Sequence, residues 1–150
     1  MPSADVVREW MEIAGLPDDL YDPGRRMCGF NFLGRFDVVV EAPKASEDVF
    51  VSIDIVNLAE ASDPAELLMR CMKLNAYGLE TRGAALGYDE NSRMVILSYR
   101  INGASIDAAA LSSLVNNLVD VAQTLQDRLK AMNVAARPAA PVGGEVILKS

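Results

Sequence analysis

Histidine is absent from the 150 residues, and cysteine occurs only twice, at Cys28 and Cys71. Without His, no side chain has an ordinary pKa that makes it a base near neutral pH. Two cysteines with no CxxC spacing do not build the usual zinc ligand sets. Basic residues are in deficit: 14 Lys and Arg against 21 Asp and Glu leave a net charge of −7. That balance argues against nucleic acid, whose phosphates are held by clustered cations, and against an anionic membrane surface. No apolar run approaches the ~20 residues that span a bilayer. The segment Met1-Pro2-Ser3-Ala4-Asp5 has no basic stretch leading into an apolar one, so it does not read as a secretory signal. The expectation is a cytoplasmic protein in which both thiols are buried and free rather than paired.

Catalytic signatures are missing too. There is no GxxxxGK[ST], no GxSxG, and no GxGxxG following a strand. Carboxylates fall on strand-like segments at Asp37, Glu41 and Asp54, but no second group converges with any of them. Asp37 and Glu41 occupy the outward alternate positions where solubilising charges are usual. Gly83 and Gly87 are spaced like a membrane dimer motif, yet their context is polar, which points to turns and close packing. These readings predict no catalytic residue, no metal and no cofactor.

What the chain has is apolar patterning. Hydrophobic residues make up 51%, enough for one core in a chain of this length. Ser3 to Ala14 reads as a helix stopped by Gly15. Its apolar residues Val6, Val7, Trp10, Met11, Ile13 and Ala14 spread over roughly 160°, wider than the ~100° stripe that docking on a core requires. Burial of a short helix explains most of that arc, and a partner facing part of it is the sharper reading. Asp18 to Arg26 reads as a loop. Met27 to Leu33, Arg35 to Ala42 and Asp48 to Leu58 read as a meander with a tight turn at Leu33-Gly34. In the third strand Val49, Val51, Ile53 and Ile55 form one face.

Asp63, Pro64 and Glu66 mark a helix start, with Glu66 placed to reach back to the cap. That helix continues to Asn75–Gly78. Ala84 to Tyr88 and Arg93 to Ile101 read as a second hairpin, and Asp107 to Asn133 as the longest helix. The fold class is therefore α+β: an antiparallel twisted sheet of about five strands flanked by three helices, in the order α-β-β-β-α-β-β-α. The domain is expected over residues 1–133. Residues 134–150 read as an Ala/Pro/Gly-rich tail that ends in the β-prone run Val146-Ile147-Leu148. A frayed tail is the simpler reading. Docking of that run over an empty partner groove is the alternative.

The stretch LLMRCMKLNAYGLETRGAALGYDENSRMVILSYRI, from Leu67 to Ile101, resembles the central segment of class I type III secretion chaperones, the CesT/Tir-chaperone family. The resemblance is carried by Leu67-Leu68, Asn75, Gly78, Gly83-Ala84-Ala85-Leu86-Gly87, Asp89-Glu90 and Met94 to Leu97. It implies a homodimer of α+β protomers that holds the N-terminal region of a secreted effector in extended form and needs no nucleotide. On that reading the effector contacts are Trp10, Ile13, Phe30, Phe32, Phe36 and Val38. The dimer contacts are Leu68, Met69, Met72, Leu86 and Tyr88. A dimeric structural or regulatory domain of the same fold, unconnected with secretion, is the competing expectation, and a small-molecule enzyme ranks third.

Overall fold

The computed structural model describes residues 3–135. Its elements are α1 (Ser3–Ala14), β1 (Tyr21–Asp22), β2 (Met27–Phe32), β3 (Phe36–Glu41), β4 (Asp48–Asn57), α2 (Pro64–Asn75), β5 (Ala85–Asp89), β6 (Met94–Asn102) and α3 (Ala108–Ala135). The strands form one six-stranded antiparallel sheet in the order β1-β2-β3-β4-β6-β5. The strand beyond the expected five is β1, inside the segment read as a loop. Two residues are too few to show a period of two, so only pairing reveals it: Tyr21 lies opposite Cys28 and Asp22 opposite Met27. The C-terminal tail with Val146-Ile147-Leu148 lies outside the described residues.

The chain forms two compact units, Met1–Asp54 with Ser98–Asp120, and Ile55–Leu97 with Val121–Ser150. In the first unit α1 ends as its sequence indicates. Gly15 is left-handed (φ 71), its N–H donates to Glu12 O at 3.1 Å, and Leu16 N–H donates to Met11 O at 2.9 Å. This is the Schellman arrangement, for which glycine carries no Cβ penalty. Val6, Val7, Trp10 and Met11 are buried, whereas Ile13 and Ala14 at the far end of the arc are exposed. Strand β3 alternates as its sequence does, with Phe36, Val38 and Val40 inward. Val49, Val51 and Ile53 do the same in β4. The helix start is pinned by a close approach. A Cβ on Gly103 would lie 2.6 Å from Ser3 Cβ and 2.7 Å from Glu47 O, so only glycine fits there.

In the second unit Asp63 caps α2, its Oδ1 accepting Glu66 N–H at 3.1 Å, with Pro64 at the first helical position. The Glu66 carboxylate does not reach back to the cap; Arg70 Nε holds it one turn on at 2.8 Å. Leu67, Cys71 and Leu74 form the buried face of α2. From α3 this unit takes Val121, Ala122, Leu125 and Leu129 as core. Gln126 is buried among them, and its Nε2 donates to Ile55 O at 2.7 Å, so a polar side chain inside the unit is satisfied.

Candidate partner surfaces

The first surface lies before β1 starts. Asp22 Oδ1 accepts the N–H groups of Gly24 (2.9 Å) and Arg25 (3.1 Å) in the turn that leads to β2. The strand begins only at Tyr21, after the helical turn Asp18–Leu20, so pairing with β2 covers only Met27 and Cys28. Among the described residues, Gly29 to Phe32 have β3 on one side and no strand on the other. Alternate residues along that outer side present their N–H and C=O groups for pairing. Registers Cys28–Val40, Phe30–Val38 and Phe32–Phe36 place Phe30 and Phe32 on the same sheet face as buried Cys28. Both phenylalanines stay half-buried because no neighbouring strand covers them.

The Phe30 ring lies 5.9 Å from that of Trp10, tilted by 45°. Ile13, one helical turn beyond Trp10, is 56% exposed. At the hairpin tip Leu33 (φ 55) and Gly34 (φ 69) are both left-handed, and Arg35 N–H donates to Phe32 O at 3.0 Å. A bulky residue is uncommon at positive φ, and Leu33 is also 79% exposed. Of the six effector contacts expected from sequence, the structure leaves Ile13, Phe30 and Phe32 accessible. Trp10, Phe36 and Val38 are buried in the protomer, so they have no free surface to offer a partner.

The second surface is the outer side of α2 with the segment that follows it. Met69 and Met72, three residues apart and so on one side of the helix, are both exposed, Met72 by 69%. Beyond the helix the chain makes a strained loop. Tyr77 (φ 64), Gly78 (φ 68), Arg82 (φ 53) and Gly83 (φ 90) are all left-handed, and Gly83 N–H donates to Gly78 O at 3.0 Å. The loop leaves Tyr77 96% exposed and Leu79 nearly as open. Strand β5 adds Tyr88, also exposed. Of the five expected dimer contacts, Met69, Met72 and Tyr88 are exposed, Leu68 is half-buried and Leu86 is buried.

Asn75, the last residue of α2, joins the helix to that strand. Its Nδ2 donates to Leu86 O at 2.8 Å and its Oδ1 accepts Leu86 N–H at 2.7 Å. Both backbone groups of one β5 residue are thus held by one carboxamide.

The sequence model of the Tir chaperone protein (CesT) family matches residues 7–126. The chain belongs to this family. The matched span contains both surfaces and all eleven residues singled out from the sequence. Solved structures share the fold. A chain of the ExsC–ExsE complex superposes with a TM-score of 0.72 at 22% identity, over 85% of this chain and 95% of that one. A chain of the HopA1–SchA chaperone–effector complex gives 0.63 at 14% identity, over 82% and 91%. The Yersinia pestis type III secretion chaperone SycH, solved with a fragment of YscM2, gives 0.57 at 15% identity, over 82% and 98%. A search of curated protein sequences returns no significant match.

For a member of this chaperone family, apolar surface outranks reactive groups. Burial raises the pKa of both Cys28 and Cys71, which holds these thiols in the less nucleophilic protonated form. Asp37 is exposed and its Oδ1 accepts a hydrogen bond from Asn31 Nδ2 at 2.9 Å, the cross-strand contact of a solvated face. No helix among the described residues is long and apolar enough to cross a membrane.

Sequence reasoning overlooked Leu33, Tyr77 and Leu79. Leu33 and Tyr77 each stand just before a glycine in a turn. An apolar residue in a turn that ordinarily takes Asn or Gly was the available signal.

Proposed function

We propose that this chain is a cytoplasmic, non-enzymatic type III secretion chaperone. As a homodimer it holds the N-terminal region of a secreted effector in extended form, keeping it soluble and ready for export. The observation that carries this reading is the outer side of β2 from Gly29 to Phe32, beside the half-covered Phe30 and Phe32 and the exposed Ile13. An extended client supplies the missing strand through its backbone, and its alternate side chains cover the phenylalanines. Trp10, Phe36 and Val38 serve as the floor on which those contacts rest.

The second surface serves the dimer. Met69, Met72 and Tyr88, with Tyr77 and Leu79, give one chain more exposed large apolar side chains than scattered surface positions require. The thioether side chains adapt to an irregular partner face. Leu68 lies at the margin of this surface and Leu86 behind it. The match to the family and the chaperone–effector complexes among the solved structures support both assignments.

The test is co-expression with a candidate effector truncated to its first hundred or so residues, followed by isolation of the complex and amide exchange. We expect amides between Gly29 and Phe32 to become protected when the effector segment binds. Ile13→Glu should weaken capture at least about tenfold while dimer mass is retained. Full-strength capture by that variant, with unprotected β2 amides, would sink the assignment. If the bound polypeptide is never exported, a non-secretory binding role replaces the chaperone one.

A further inference from the structure

Among the described residues the sheet has two edges, and they differ in how far their backbone is already engaged. At the β5 edge, both Leu86 backbone groups bond Asn75, so they point away from β6, the neighbour of β5 on its other side. Backbone groups alternate in direction along a strand, so Ala84 and Tyr88 also point outward. Ala84 N–H is engaged as well, donating to Thr81 O at 3.1 Å. Leu86 is therefore closed through both backbone groups and Ala84, just before the strand, through its N–H, which leaves Tyr88 as the open outward position of β5. In an edge strand five residues long, with the first of its two outward residues occupied, only Tyr88 is left for a second strand to pair with.

We propose that Asn75 is a gate: its carboxamide closes the β5 edge to strand addition, so that an extended partner can join the sheet only at β2. The consequence for β2 rests on the client reading above, whereas closure of β5 stands on the hydrogen bonds alone. The chemistry specifies the residue. A carboxamide both donates and accepts, so it satisfies a C=O and an N–H together. A carboxylate accepts only, and alanine does neither. In the ungated chain the commonest available strand is β5 of a second copy, which pairs edge to edge.

The experiment uses the full chain with no client. The mass of native protein, Asn75→Asp and Asn75→Ala is followed over a wide concentration range by light scattering, with amide exchange at Tyr88. We expect native protein to stay at the mass of the homodimer, and any climb in a variant is scored beyond that mass. The mass of Asn75→Ala should climb with concentration, with Tyr88 exchange slowing about tenfold at the upper end, and Asn75→Asp should lie between. If circular dichroism shows Asn75→Ala unfolded, Asn75→Asp carries the same two readings, since its carboxylate still accepts Leu86 N–H. Native-like mass and native Tyr88 exchange in the folded variants would overturn the gate. Client capture is scored separately. A failed gate with normal capture at β2 leaves the chaperone reading intact, and a confirmed gate without capture removes that reading alone.

Discussion

The two units handle apolar surface in opposite ways. In the first, the residues expected to meet a partner are largely consumed by the protomer: Trp10, Phe36 and Val38 are buried, and Phe30 and Phe32 half so. What this unit leaves open is backbone, along the outer side of β2. In the second, Met69, Met72, Tyr77, Leu79 and Tyr88 stand exposed, while the backbone at the β5 edge is closed by Asn75. On the function proposed above, one unit receives a strand and the other receives side chains. An exposed methionine and tyrosine face offers adaptable apolar contact, which the proposed second copy would bury. Open backbone suits clients of varied sequence, because peptide groups are common to all of them.

The sharpest way to break this comparison is to treat Trp10 as a contact residue. Trp10→Ala should lower unfolding stability by about 3–5 kcal/mol through the cavity it leaves. Any loss of client capture should then track the fraction unfolded in a denaturant titration. A folded variant of native stability with capture abolished would make Trp10 a client contact. Next in size is Met72→Glu. At an exposed site it should change protomer folding by no more than about 0.5 kcal/mol. A charge desolvated against a second copy should nevertheless weaken the dimer at least about tenfold, read from mass against concentration. Smallest is Leu33→Asn, where Asn tolerates the left-handed backbone better. We expect a gain of about 0.5–1 kcal/mol in stability, with client affinity reduced if the exposed Leu33 touches the client and unchanged if it does not.

Much of the fold was legible because periodicity and caps are local. Asp63-Pro64, Gly15, Leu33-Gly34 and the alternation of Val49, Val51 and Ile53 each state their own structure. Strand β1 was not legible, since two residues have no period and Tyr21 becomes a strand residue only by lying opposite Cys28. The surfaces were legible in part. Sequence identifies an apolar arc but not which of its residues a neighbouring strand will cover, so Trp10 and Ile13 looked alike and ended buried and exposed. Helical spacing placed Met69 and Met72 on one side, and both are exposed among the described residues. The Asn75–Leu86 pairing spans eleven residues and depends on the loop between them, whose left-handed residues include Tyr77 and Arg82, side chains that do not advertise that conformation.

The contact of Gly103 with Ser3 and Glu47 sets a timetable. The start of α1 cannot be seated until residue 103 has left the ribosome, about 100 residues after the helix itself. At the usual pace of roughly 5–20 residues per second, the start of α1 waits some 5–20 s for this contact, although Phe30 is available to Trp10 sooner. During its own synthesis this protein thus carries an apolar helix with one end still unseated, a brief version of the state proposed for the polypeptides it holds.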